Sequence, residues 1–227
     1  MKPGSRPDAL VRVVDDDEAV RSSLMLLLKS AGLTIQAYAS AAEFLAAYED
    51  DQPGCLVLDI RMPGMNGLEL QDELTRRGAM VPVIFITGHG DVPMAVEAMQ
   101  RGAMDFLQKP FRDQDLIDRV LKALVLDRGN RAQRESRRAI RSRLAILSPR
   151  EMQVLQLLAN GKSNKQMAGD LGVSQRTVEI HRAHLMQKME AKSVAQLVRM
   201  FLVVCDVDRV DSSGISSPPG STHRGGI

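Results

Sequence analysis

LVRVVDDDEAVRSSLMLLLKSAGLTIQAY, residues 10 to 38, decides the fold. A short run, apolar except for Arg12, ends in three aspartates; a stretch of helical period follows, and a second β-rich run begins after Gly32. The same unit recurs downstream. Strand-like runs stand at LVRVV (10 to 14), TIQAY (34 to 38), CLVL (55 to 58), VIFIT (83 to 87) and DFLQK (105 to 109). Helical patterns lie around 18 to 31, 40 to 49, 67 to 77, 91 to 101 and 113 to 126. Strands alternating with helices of ten or so residues imply parallel pairing through crossover helices, so residues 10 to 127 are expected to form a five-stranded α/β sandwich. Such a sheet places its ligand site at the carboxyl ends of the strands, and the residues just after each run are where chemistry is sought.

The rest of the chain has a different grammar. Its 227 residues suit two domains, and 44% apolar with 26% charged residues is a globular balance. Residues 128 to 143 hold seven arginines against one glutamate, which reads as a solvated helical linker over 128 to 146. This is either one long helix continuing from the first domain or two shorter ones, with Gly129 and Asn130 as the weak point. From Ser148 the pattern becomes short capped helices near 149 to 160, 164 to 171, 175 to 189 and 193 to 204, giving an all-α domain over 147 to 205. Ser148-Pro149-Arg150-Glu151 is a capping box with proline at the first helical position, and Ser193 with Gln196 suggests another. The Gly/Ser/Pro-rich residues 206 to 227 are expected to be a disordered tail, and residues 1 to 9 a short extension.

Charge divides the same way. Residues 1 to 125 carry 13 Lys and Arg against 19 Asp and Glu, whereas residues 126 to 227 carry 17 against 9. An acidic half joined to a basic one suits a nucleic-acid binder attached to a domain with other work. No window approaches the roughly 18 apolar residues of a membrane span, and the N-terminus lacks a signal-peptide pattern, so a cytoplasmic protein with no membrane partner is expected. Cys55 and Cys205 are too few and too far apart for a disulfide framework or a zinc cluster.

Asp15, Asp16 and Asp17 follow the first strand and Asp59 follows the third, so a parallel sheet gathers carboxylates at one edge. Asp17 and Glu18 read best as caps of the first helix. Asp15, Asp16 and Asp59, read as a buried group of three carboxylates, are stable only if some are protonated or a cation sits among them, and an all-oxygen set that keeps waters suits Mg²⁺. Thr87 closes the fourth strand and Lys109 the fifth, before Pro110, adding a hydroxyl and an ammonium. An aspartate beside Mg²⁺, faced by these two groups, is equipped to accept a phosphoryl group, which makes Asp59 the nucleophile.

Residues 11 to 126 resemble the receiver domain of two-component response regulators, a flavodoxin-like (CheY-like) fold, through VVDDD (13 to 17), LVLDIRMPGMNG (56 to 67) and ITGHGDVPMAVEAMQRGAMDFLQKPF (86 to 111). The resemblance implies that Asp59 takes phosphate from a sensor histidine kinase, that Asp15 and Asp16 hold Mg²⁺, and that the backbone carbonyl of Arg61 also binds the ion. It implies a switch in which the Thr87 hydroxyl turns toward the phosphoryl group and the aromatic Phe106, here without the commoner tyrosine hydroxyl, moves inward. It also implies a cis peptide before Pro110 and a face, Gly88 to Gly102 with Phe106, through which phosphorylated chains form a homodimer. Arg61 and His89 flank the site and bear on water access to it.

In the basic half, Asn164 to Leu171, Gly172-Val173 and Ser174 to Met189 read as helix, tight turn and helix, with Ser174 as the cap of the second. Residues 147 to 203 resemble the LuxR-type helix-turn-helix domain through LSPREMQVLQLLANGKSNKQMAGDLGVSQRTVEIHRAHLMQKM and KSVAQLV. Together the two resemblances place the chain in the NarL/FixJ class, on the FixJ and StyR branch. They imply that DNA and RNA polymerase are partners, that Glu179, Ile180 and Ala183 face base edges, and that Lys165, Arg176, Thr177, Arg182, Lys188 and Lys192 approach the DNA backbone. A glutamate can accept from the cytosine amino group, and the basic residues supply sequence-independent affinity. His181 and His184 lack flanking ligands at a zinc spacing and are not a metal pair.

Two other classes fit less well. A phosphatase of the haloacid dehalogenase type also uses a strand-end aspartate with Mg²⁺, but needs a second acid where this chain has Arg61. A small-molecule-sensing LuxR-type regulator wants an aromatic-walled pocket, and the chain has no Trp, five Phe and two Tyr.

Overall fold

The computed structural model describes residues 9–88 and 92–213. The first eight residues, His89 and the tail after Ser213 therefore lie outside the described residues, and so do the expectations placed on them. Contacts divide the chain between Ala132 and Gln133 into two compact units.

In the first unit, β1 (Leu10–Val14), β2 (Thr34–Tyr38), β3 (Gly54–Asp59), β4 (Val83–Thr87) and β5 (Asp105–Gln108) pair in parallel in the order β2-β1-β3-β4-β5. The helices α1 (Glu18–Ser30), α2 (Ala41–Ala47), α3 (Gly67–Arg76), α4 (Val92–Gln100) and α5 (Asp113–Ala145) connect and follow them. The strand alternation decides both faces. Val11, Val13, Cys55, Val57, Ile84 and Ile86 meet Leu24 and Leu28 of α1 and Leu116 and Val120 of α5. Their neighbours Leu56, Leu58, Val83 and Phe85 meet Phe44 of α2, Leu70 and Leu74 of α3 and Ala98 of α4. Phe85 is wholly buried, so Phe85→Ala would cost about 3–5 kcal/mol. Central strands buried on both faces are what a doubly wound parallel sheet requires.

One polar residue breaks the apolar run. Arg12 is 2% exposed, with its guanidinium 5.3 Å from the centre of the Tyr48 ring and donating to Gln52 Oε1 at 3.2 Å. Beside it, buried Asp127 of α5 accepts from the Gly54 backbone N–H at 2.9 Å and from Arg131 Nε at 2.8 Å. Arg131 in turn donates to the Asp50 and Gln52 carbonyls at 2.5 and 3.2 Å.

The linker is one helix: α5 runs unbroken for 33 residues through Gly129. Its last turns are not simply solvated, as the arginine-rich composition suggested. Ile140 is buried and Leu144 packs beside it in the core of the second unit. Two apolar residues at an i, i+4 spacing form a stripe too short to stand out among seven arginines, yet enough to dock one turn.

The second unit continues with α6 (Pro149–Ala159), α7 (Asn164–Leu171), α8 (Gln175–Lys188) and α9 (Val194–Ser213). Val154, Leu155, Met167, Val178, Leu185, Met189 and Leu197 form its core. The Ser148–Glu151 capping box is present, and a second, Ser163 with Gln166, opens α7. Gly172, at φ 65°, takes the left-handed C-cap conformation that lets the chain turn from α7 into α8. The expected disordered tail begins too early, because α9 continues past Asp206 to Ser213. The sequence between them contains no glycine or proline, and the first breaker is Gly214.

Candidate functional site

The sheet register makes the acidic site. Val14 pairs with Leu58, so Asp15 emerges beside Asp59, the last residue of β3. Lys109, just after β5, completes the group: its Nζ donates to Asp15 Oδ2 at 3.0 Å and to Asp59 Oδ1 at 2.9 Å. The free oxygens are used as well. Asp15 Oδ1 accepts from the Asp17 backbone N–H at 2.9 Å, and Asp59 Oδ2 from that of Arg61 at 2.7 Å.

Asp15 and Asp59 are both buried, 2% and 8% exposed, whereas Asp16 is exposed. The site is thus two buried carboxylates and a surface one, not a buried trio, because consecutive residues leaving a strand point opposite ways. Burial raises the Asp59 pKa above the ordinary carboxylate value, and Asp15 pushes the same way against the opposing pull of Lys109 and the Arg61 N–H. Burial disfavours the Lys109 ammonium, yet the two carboxylates outweigh it and its pKa is raised. An ammonium with its proton held, against an Asp59 carboxylate that resists charging, is an arrangement completed by further positive charge. Among the described residues no three His, Cys, Asp or Glu side chains form a ready ligand cluster. Mg²⁺ needs no such cage, since it keeps several waters and takes one or two carboxylates, and the all-oxygen donors here fit it.

Thr87, 2% exposed at the end of β4, donates its hydroxyl to the Gly88 carbonyl at 3.1 Å. Phe106 on β5 is half-buried against the core face that holds Phe85. The Lys109–Pro110 peptide is cis. Sequence reasoning missed Arg21, whose guanidinium donates to the Asp15 carbonyl at 2.8 Å; the signal was a basic residue in the first turn of α1. Asp17 caps α1 by accepting from the Ala19 and Val20 N–H groups, as its position implied.

On the second unit, α8 is capped by Ser174, whose hydroxyl accepts from the Thr177 N–H at 3.1 Å and bonds the Thr177 hydroxyl at 2.8 Å. Val178, Leu185 and Met189 turn into the core. Arg176, Glu179, Ile180 and Ala183 are exposed, and Lys165 and Lys192 lie open on the neighbouring elements. Ile180 is 49% exposed on the same face of α8 as Arg176 and Ala183. A hollow of about 380 Å³ lies along the helix, lined by Glu179, Arg182, Ala183, Met186, Ser193 and Val194. Arg182 is half-buried and donates to Asn164 Oδ1. Lys188 is half-buried, and its ammonium donates to buried Glu151 at 2.7 Å.

An acid-lined strand edge on a (βα)5 sheet, joined to a capped helix-turn-helix with a polar second helix, defines a signalling receiver linked to a DNA-binding domain. The family model for the response regulator receiver domain matches residues 11–121, and that for the luxR family of bacterial regulatory proteins matches residues 145–201. The chain is 52% identical over 198 residues to the transcriptional regulatory protein FixJ of Azorhizobium caulinodans, covering 87% of this chain and 94% of that one. It is 50% identical over 192 residues to nodulation protein W of Bradyrhizobium diazoefficiens, covering 85% of each. The solved structure of the response regulator StyR matches with a TM-score of 0.78 at 46% identity, over 86% of this chain and 98% of that one.

The chain belongs to the FixJ-like family of two-component response regulators with a LuxR-type DNA-binding domain. It is a transcriptional regulator whose partners as a family member are DNA and a sensor kinase, and receiver domains in general bind Mg²⁺. Among the described residues no helix is long and apolar enough to cross a membrane.

Proposed function

We propose that Asp59 is the phosphoacceptor, and that its phosphorylation in the cytoplasm controls dimerisation and DNA binding by this chain. The observation that carries this reading is the Lys109 ammonium bridging Asp59 and Asp15 at the strand ends. One Asp59 oxygen attacks the phosphorus of the kinase phosphohistidine; the new O–P bond forms as the N–P bond breaks, and the imidazole nitrogen leaves with the bonding pair. Asp15, Asp16, Asp59 and the Arg61 carbonyl would hold Mg²⁺, which supplies neutralisation of the phosphoryl oxygens. Lys109 contributes a second positive charge, and its hydrogen bonds keep the Asp59 carboxylate oriented. Thr87 gives up the Gly88 carbonyl and donates to the phosphoryl group instead; Phe106 follows it inward, and the α4–β5 face rearranges to pair two chains.

Paired second units then meet a two-fold DNA site. Glu179, Ile180 and Ala183 face base edges, with Glu179 accepting from a cytosine amino group. Lys165, Arg176, Thr177, Arg182, Lys188 and Lys192 approach phosphates, with Lys188 also paired to Glu151. RNA polymerase is the further partner at the promoter. On this reading residues 10–127 are the receiver, 128–146 the linker and 147–205 the DNA-binding domain.

The test is DNA affinity of the full chain over genomic fragments, at fixed salt, with and without acetyl phosphate and Mg²⁺. Tenfold or greater tightening, about 1.4 kcal/mol of coupling, is expected and should vanish in Asp59→Asn. Binding that is tight and indifferent to phosphate would make the receiver a docking module.

A further inference from the structure

We propose that Arg21 is a positioning residue of the acidic turn, fixing the peptide plane between Asp15 and Asp16 and so the direction in which Asp16 presents its carboxylate to a divalent cation. The inference rests on the reading of Asp15, Asp16 and Asp59 as a Mg²⁺ site.

Around Asp16 nearly every polar group is tied. The Asp15 N–H donates to the Tyr38 carbonyl at 3.3 Å, its Oδ1 accepts from the Asp17 N–H, and its Oδ2 accepts from Lys109. Asp17 is committed to capping α1. The Asp15 carbonyl would be the loose end, and Arg21 reaches back from α1 to hold it at 2.8 Å. Because a peptide unit is planar, fixing that oxygen also fixes the N–H of Asp16 on the other side of the bond. Asp16 itself is exposed, so its aim is set by its backbone and not by packing.

The position of Arg21 is costly for the helix alone. Its backbone N–H makes the first intrahelical bond, to the Asp17 carbonyl at 3.0 Å, which places a cation in the turn where the helix dipole is positive. The Asp15 carbonyl and the surrounding acids offset that cost.

Two possible roles have opposite signs. If Arg21 acted only as a positive charge near the site, its removal would tighten Mg²⁺ binding. If it holds the turn, its removal weakens binding. The experiment is a calorimetric Mg²⁺ titration of the full chain with no phosphodonor, comparing the natural protein with Arg21→Ala and Arg21→Lys. Arg21→Ala is expected to raise Kd at least fivefold at unchanged stoichiometry. Arg21→Lys, which keeps one donor, should lie between Arg21→Ala and the natural protein. An unchanged or tighter Kd in Arg21→Ala overturns the proposal, and so does a reduced stoichiometry at the natural Kd, which marks partial unfolding alone. A natural chain that takes up no Mg²⁺ would sink the parent reading together with this one, whereas natural uptake with an indifferent Arg21→Ala sinks this one only.

Discussion

The Lys188 ammonium lies 2.7 Å from Glu151 Oε2, tying the end of α8 to the first turn of α6. Glu151 is buried and also accepts from the Ser148 N–H at 2.7 Å. Burial opposes its charge, but Lys188 and the Ser148 contacts prevail and lower its pKa from 4.5 to about 2. A carboxylate depressed in this way stabilises the fold above its unfolded pKa, and that contribution is lost as pH falls from about 4.5 toward about 2. Glu151→Gln should therefore cost about 1–3 kcal/mol at pH 7 and erase part of the acid-unfolding slope in that window. Thermal midpoints of the natural and variant chains across pH 2–7 test it, and parallel curves would refute it.

Gly67 opens α3 directly under the acceptor strand. A Cβ there would lie 2.4 Å from the Asp59 carbonyl oxygen and 3.0 Å from both Ile60 Cα and Phe85 Cε1. The Asp59 backbone must shift to admit even one methyl group. Gly67→Ala is expected to cost about 1–3 kcal/mol and to slow acetyl-phosphate labelling of Asp59 in the fraction that remains folded.

Gly169 is the reverse case. It lies exposed within α7, and a Cβ would meet nothing within 4 Å. Nothing in the structure explains the glycine. Gly169→Ala should raise stability by about 0.5–1 kcal/mol through the unfolded chain and the helix propensity, read as a higher denaturant midpoint at unchanged m-value.

On α8 the exposed residues should separate by salt. Arg176→Ala should weaken binding alike on every DNA sequence and lower the slope of log K against log salt by about one. Ile180→Ala should leave that slope alone and cost discrimination at one or two base pairs. A slope that moves with Ile180 and not with Arg176 would reverse the two assignments.

Cys55 is wholly buried in the sheet and burial pushes its thiol up to about 12, with Asp127 adding to the shift. It should resist alkylation at pH 8 in the folded chain and react only as the first unit unfolds.

The strands, the order of helices and the gathering of Asp15, Asp59 and Lys109 were legible in the sequence because they follow from period and from parallel topology. Four strand ends at one sheet edge leave little freedom. What escaped depends on contacts that no period carries. Ile140 and Leu144 are hidden by the arginines around them, and Lys188 looks like any basic residue until Glu151 is found beside it. Asp16 reads as one of a buried group because adjacency is visible in a sequence and the turn of the backbone is not. The extent of α9 rests on the absence of a breaker before Gly214, a weaker signal than the Gly/Ser/Pro-rich composition of the segment as a whole.

Asp127 and Arg131 carry a practical meaning for dissecting the chain. Cut after Leu126, the first unit would lose the acceptor of the Gly54 N–H and the guanidinium that holds the Asp50 and Gln52 carbonyls, loosening the loop that leads into β3 at the end away from Asp59. Cut after Ala132, it would keep all of them. Asp127 and Arg131 thus brace the approach to β3 from a stretch of helix whose composition reads as spacer, and a boundary drawn after Ala132 keeps that brace whole.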